Sequence, residues 1–240
     1  MIDAIFIQSC QKEMISGRLL YFLKRFEAVF DFSIPVFLFL DEECRGVSFN
    51  QNLFNTVFLE KNNSLNELTL FFKQILNFKK DEFRKILLLE TDCFLLEGFL
   101  DSVNADIQNA FVDFFILGSR YYGSKELNNK YVKIHINGVA VYNRTEQNIS
   151  LFNQAVREKN LLAYGSYNYD LSFCRYICKK YGEDFYNKIC LDVGSILNIC
   201  RVEDLGLEKE LFSKKPLAKV VHSKSSEIFP NSLFDIPNFR

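Results

Sequence analysis

Tryptophan is absent from these 240 residues, histidine occurs only twice, and 29 Lys and Arg against 30 Asp and Glu leave a formal charge of -1. Without a surplus of positive charge the chain has no broad field for gripping polyanions, so nucleic acid is not expected as the principal partner. No run approaches the roughly 18 apolar residues that suggest a membrane span. Even Val36-Phe37-Leu38-Phe39-Leu40 meets Asp41-Glu42-Glu43 at once. The start, Met1-Ile2-Asp3-Ala4-Ile5-Phe6-Ile7-Gln8, lacks the basic opening, longer apolar centre and small-residue cleavage site of a secretory leader, so export is not expected. Seven cysteines (Cys10, Cys44, Cys93, Cys174, Cys178, Cys190 and Cys200) include no CxxC pair. Cys174 and Cys178 stand one helical turn apart, but no second close pair completes a zinc site. The pattern fits reduced, buried thiols and a cytoplasmic protein, with peripheral contact at the inner face of a membrane left open.

What is present is 48% hydrophobic residues, enough for a sizeable core, in a chain of one large domain's length. Short apolar runs alternate with segments of helical period through the first half, the pattern of an α/β domain with a mostly parallel sheet. Ile2 to Ile7, Pro35 to Leu40, Asn55 to Leu59 and Ile86 to Leu89 read as strands. Ile15 to Phe30 reads as a helix, and a second runs from Ser64 to Phe78 with Glu67 in the capping-box position. Later strands are expected at Phe114 to Leu117, Val132 to Tyr142, Ser195 to Cys200 and Leu217 to His222, and helices at Phe99 to Ala110, Thr145 to Leu161 and Tyr169 to Tyr181. The alternation in Val132 to Tyr142 suits antiparallel pairing, so the sheet should be mixed. Two of the four prolines fall in Ser223 to Arg240, which reads as an extended tail.

Four apolar residues, Ile86-Leu87-Leu88-Leu89, run directly into Glu90-Thr91-Asp92. The carboxylates therefore sit where a central strand leaves the sheet, the edge at which open α/β sheets collect ligands. Two residues apart on an extended strand end, they point to the same side and can share a divalent cation or its waters. Such a cation neutralises a diphosphate and stabilises it as a leaving group. Asn137-Gly138 offers an amide for sugar hydroxyls beside a position that lets a ligand approach the backbone, and equally reads as a hairpin turn. Ala163-Tyr164-Gly165-Ser166-Tyr167-Asn168-Tyr169-Asp170 is a polar aromatic loop suited to sugar recognition, in which Asp170 equally serves as a helix N-cap. Lys219-Val220-Val221-His222-Ser223-Lys224 ends a late strand on an imidazole able to complete an oxygen-rich Mn²⁺ site and an ammonium able to meet a phosphate oxygen.

The run Lys85-Ile86-Leu87-Leu88-Leu89-Glu90-Thr91-Asp92-Cys93-Phe94-Leu95 resembles the strand plus D-x-D segment of GT-A-fold, nucleotide-sugar-dependent glycosyltransferases, with Glu90 replacing the first Asp. His135-Ile136-Asn137-Gly138-Val139-Ala140-Val141-Tyr142-Asn143 is similar to their Asn-x-Gly strand segment, Asp170 falls at their acidic acceptor-side position, and His222 looks like their late metal-binding histidine. The order of these segments, across about residues 70 to 224, carries more than any one of them.

The resemblance implies a Rossmann-like, GT-A-like α/β fold with a mixed, mostly parallel sheet flanked by helices. It implies one domain over 1–240, with a nucleotide-binding half (1–98), an acceptor half that closes the metal site (99–224) and the tail (225–240). It further implies Mn²⁺ or Mg²⁺ on Asp92, Glu90 and His222. Donor contacts are expected from Ser9, Arg18, Lys73, Glu90, Thr91, Asn137, Gly138 and Lys224, and acceptor contacts from His135, Arg120 and Tyr169. Asp170 is the candidate base. The expected partners are a nucleoside diphosphate sugar and a glycan or lipid-linked acceptor. Two other classes remain: a sugar nucleotidyltransferase, disfavoured because Ser9 to Gly17 contains a single glycine, and a non-catalytic glycan-binding protein of the same fold.

Overall fold

The computed structural model describes residues 1–9, 17–46, 52–60, 73–109, 116–122, 135–157, 176–185, 190–199 and 217–223. Strands β1 (Ala4–Ser9), β2 (Val36–Asp41), β3 (Asn55–Leu59) and β4 (Lys85–Glu90) lie parallel in the order β3-β2-β1-β4. Beyond β4 come β7 (His135–Asn143) and β6 (Ile116–Tyr122), each antiparallel to its neighbour. The sheet continues through β9 (Ile196–Ile199) and β10 (Val220–Ser223) to β5 (Cys93–Leu95), while β8 (Cys190–Asp192) pairs with β6 off this path. Six strand pairings are parallel and three antiparallel, so the sheet is mixed and mostly parallel.

Continuous apolar runs form the central strands because both faces are covered. On one face Ala4, Phe6, Phe37, Phe39, Ile86, Leu88, Ala140 and Tyr142 share a core with helical residues from 73–77, 176–181 and α3 (Glu146–Arg157). On the other, Ile5, Ile7, Leu38, Leu40, Leu87, Leu89, Val139 and Val141 meet α1 (Arg18–Val29) and α2 (Phe99–Asn109). Helix α1 contributes Leu19, Phe22, Leu23 and Phe26, the i, i+3, i+4, i+7 stripe of a helix on a sheet.

Several boundaries differ from those read in the sequence. Helix α1 begins at Arg18, preceded by Gly17, whose left-handed φ of 73° is not helical. Strand β6 runs to Tyr122, beyond the expected end at Leu117, and so includes Arg120. Asn137-Gly138 lies inside β7 and forms no hairpin turn. The β6–β7 ladder is irregular here, stepping from Gly118↔Ala140 to Arg120↔His135. Strands β5 and β8, three residues each, are too short for periodicity to announce. The expected 64–78 and 169–181 helices are helical at 73–77 and 176–181, with their earlier residues outside the described ones. The tail beyond Ser223 also lies outside them.

At the end of β7 the Arg144 guanidinium is buried and donates to the carbonyls of Ile75, Leu76, Phe78, Lys79 and Phe83. It also stands 5.0 Å from the centre of the Phe6 ring. Burial pulls its pKa down to about 10, with Asp3 and Asp81 pulling the other way, so it stays cationic at neutral pH. Five donors in a planar fork suit the orphan carbonyls where the 73–77 helix ends. Arg144→Met should leave those carbonyls unpartnered and lower the unfolding free energy by about 3 kcal/mol, measured by urea denaturation.

Candidate metal and donor site

Strand β4 ends on Glu90, which is partly exposed, and the chain turns at Thr91 and Asp92 into β5. Strand β5 pairs antiparallel with β10, with Val220 opposite Leu95, Val221 opposite Phe94 and His222 opposite Cys93. That register sets the imidazole next to the carboxylate turn although 130 residues separate Asp92 from His222. The start of β10 is fixed by Ser195, whose carbonyl accepts from the backbone N–H groups of Lys219 (2.8 Å) and Val220 (3.0 Å). Ser195 is itself held by the Asp106 carboxylate on α2, which accepts from its backbone N–H at 2.6 Å.

His222 Nε2 lies 3.1 Å from Asp92 Oδ1 and 3.7 Å from Glu90 Oε2, and one ligand atom from each residue falls within 4.8 Å of the others. The imidazole is fully buried, and Asp92 is 9% exposed. Adjacent ligands about 2.1 Å from an octahedral ion stand about 3 Å apart, so the His222–Asp92 separation matches one edge of such a shell. Two carboxylates and an imidazole are a donor set suited to Mn²⁺ or Mg²⁺, and the geometry fits a divalent ion.

The rest of the edge is polar and buried. Gln8 of β1 is the register partner of Glu90, and Ser9 follows it. Gln8, Ser9 and Thr91 are each under a tenth exposed, and among the described residues Gln8 Oε1, Ser9 Oγ and Thr91 Oγ1 have no hydrogen-bond partner. Ser9, two residues past the expected end of the first strand, is the buried last residue of β1. Gly138 follows the Val139↔Leu89 pair towards the end of β4, which puts the Asn137-Gly138 backbone on the far side of Glu90 from Gln8. Arg120 and His135 are register partners across β6 and β7. Arg18 opens α1, and Lys73, half-buried, lies in the helical stretch 73–77. Asp170, Tyr169 and Lys224 lie outside the described residues.

Two residues at this edge were missed in the sequence. Gln8 carries no charge to draw notice. Asp41, buried at the end of β2 and accepting from Cys44 Sγ at 2.7 Å, terminates an apolar strand just as Glu90 does. The same strand-end logic could have found it.

No protein-family model matches the chain, and no curated protein does. Solved structures do. The chain is similar to the galactosyltransferase LgtC in complex with donor and acceptor sugar analogues, at 13% identity and a TM-score of 0.60 over 93% of this chain and 87% of that one. It is similar to mouse xyloside xylosyltransferase 1 in its apo form, at 11% identity and a TM-score of 0.57 over 92% and 97%. The glycosyltransferase GlyE of Streptococcus pneumoniae matches at 11% identity and a TM-score of 0.54 over 94% of this chain and 55% of that one. The architecture is therefore the GT-A fold of glycosyltransferases. Among the described residues no helix is long and apolar enough to cross a membrane.

If Asp106 anchors the strand that delivers His222, Asp106→Ala should cost about 2 kcal/mol, the range of a hydrogen bond to a charged group. Urea denaturation reads the loss, and the His222 ring resonances in NMR should shift although position 106 is not part of the triad.

Proposed function

We propose that the protein is a metal-dependent glycosyltransferase that moves a sugar from a nucleoside diphosphate donor to a hydroxyl of a glycan or lipid-linked acceptor. The observation that carries this reading is the Glu90, Asp92 and His222 cluster at the carboxyl edge of a GT-A sheet. These three residues would hold Mn²⁺ or Mg²⁺, which when bound offsets the charge developing on the diphosphate as it leaves. The bond from the sugar's anomeric carbon to the phosphate oxygen breaks, and a bond from that carbon to the acceptor oxygen forms. The acceptor's proton goes to Asp170 if the reaction inverts; with retention it goes to the departing phosphate oxygen, and Asp170 only orients the acceptor.

The chain's remaining groups bind and position. Ser9 and Thr91, with buried hydroxyls lacking partners among the described residues, suit donor contact, as does the backbone at Asn137-Gly138. Arg18, Lys73 and Lys224 supply cations for the diphosphate, and Arg120, His135 and Tyr169 face the acceptor in this reading. Rate acceleration comes from electrostatic stabilisation of the leaving group and from holding both reactants in line. We read residues 1–240 as one catalytic domain, acting in the cytoplasm or at the inner face of a membrane, where lipid-linked acceptors are presented.

The test is a thermal-shift screen against UDP, GDP and CMP sugars with and without Mn²⁺. One donor should stabilise the protein in a metal-dependent way, by about 2.7 kcal/mol at a hundred times its dissociation constant. Asp92→Ala and His222→Ala should abolish that metal-dependent increment and lower transfer at least about 100-fold, the scale of a lost electrostatic contact to the leaving group. An Asp92→Ala protein transferring sugar at the parent rate under limiting metal would overturn the metal role. Donor binding without hydrolysis or transfer would identify a binding protein instead.

A further inference from the structure

Gln8 stands where an apolar residue would pack. The same face of β1 carries Ala4 and Phe6, both fully buried in one core with Ile86 and Leu88 of β4. Alternation continues that face to Gln8 on β1 and Glu90 on β4, and the parallel register makes those two direct neighbours. Neighbouring strands run about 4.8 Å apart, so the Gln8 amide rises beside the base of the Glu90 carboxylate.

The side chain is 8% exposed, and its Oε1 is buried with no hydrogen-bond partner among the described residues. Burying an unsatisfied carbonyl is costly, and leucine or methionine at this place would avoid that cost. A neutral oxygen donor beside a metal-ligating carboxylate is the kind of group that hard divalent ions take up alongside carboxylates. The carbonyl can therefore find its partner in the occupied site.

We propose that Gln8 is a fourth protein contributor to the divalent-ion site, its amide carbonyl serving as an oxygen donor alongside Glu90, Asp92 and His222. The inference rests on the metal role proposed above and extends it to a residue on a different strand. It also gives β1 a part in holding the ion, so that three strands and the β4–β5 turn converge on it.

Calorimetric titration of the full chain with Mn²⁺ alone, without nucleotide, tests this apart from catalysis. Gln8→Met keeps the length and removes the carbonyl. It should fold with a thermal midpoint at or above that of the parent and bind Mn²⁺ about 10-fold or more weakly, the scale seen when supporting groups of metal sites are lost. Gln8→Glu, which keeps an oxygen and adds charge, should bind Mn²⁺ at least as tightly as the parent. Mn²⁺ affinity of a folded Gln8→Met protein within twofold of the parent overturns the proposal, and so does weakened binding by Gln8→Glu. Asp92→Ala separates the two readings. If it loses Mn²⁺ binding while Gln8→Met keeps it, only the Gln8 role fails; if Asp92→Ala binds like the parent, the ion site itself is wrong and both readings fall.

Discussion

The approach of a fully buried imidazole to a nearly buried carboxylate, 3.1 Å between His222 Nε2 and Asp92 Oδ1, is the constraint around which the edge of the sheet is arranged. Neither group belongs in an apolar interior alone, since burying an ionised carboxylate is costly without a compensating charge. Each is carried there by backbone that has no freedom to retreat. Asp92 is pinned between β4 and β5, and His222 lies within β10, hydrogen-bonded on one side to β5 and on the other to β9. The proximity is thus a product of sheet register, which makes it far more rigid than a contact between loops.

That register depends in turn on elements remote from the site. The parallel core β2-β1-β4 is buried on both faces and fixes where Glu90 ends. The return of the chain through β10 relies on Ser195 and on Asp106 of α2, a helix packed through Phe99, Val103 and Ile107 onto the second face. On the first face Arg144 ties the 73–77 helix to the end of β7, whose other half carries Asn137-Gly138 past Glu90. A rigid floor with separately anchored walls is what electrostatic preorganisation requires, because groups fixed in advance need not reorganise as charge develops.

Much of this was legible before any coordinates. The apolar run of Ile86 to Leu89 followed by Glu90 and Asp92 located the carboxyl edge of the central strand, because a strand covered on both faces must be written in uninterrupted apolar residues. The late strand reaching His222 was visible from the apolar pair Val220-Val221 before it, and the ladder runs on to Ser223. What the sequence could not show was the path of the sheet between them. Strand β5 has three residues and no period, yet its pairing with β10 brings His222 to Asp92. Asn137-Gly138, whose local preference is for a hairpin, lies within the expected strand because β7 pairs with both β4 and β6. Gln8 was passed over because an uncharged side chain at the end of an apolar strand has no pattern of its own; only its register with Glu90 gives it meaning.

A glutamate at position 90 fits this geometry. Glu90 is the last residue of β4, still within the ladder and opposite Gln8, whereas Asp92 has already entered the turn that faces β10. Glu90 Oε2 reaches to 3.7 Å from His222 Nε2, against 3.1 Å for Asp92 Oδ1. The longer arm also has more rotamer freedom to lose, which favours a neighbour that confines it. Gln8, rising from the adjacent strand on the same face, stands in the place from which such confinement would come.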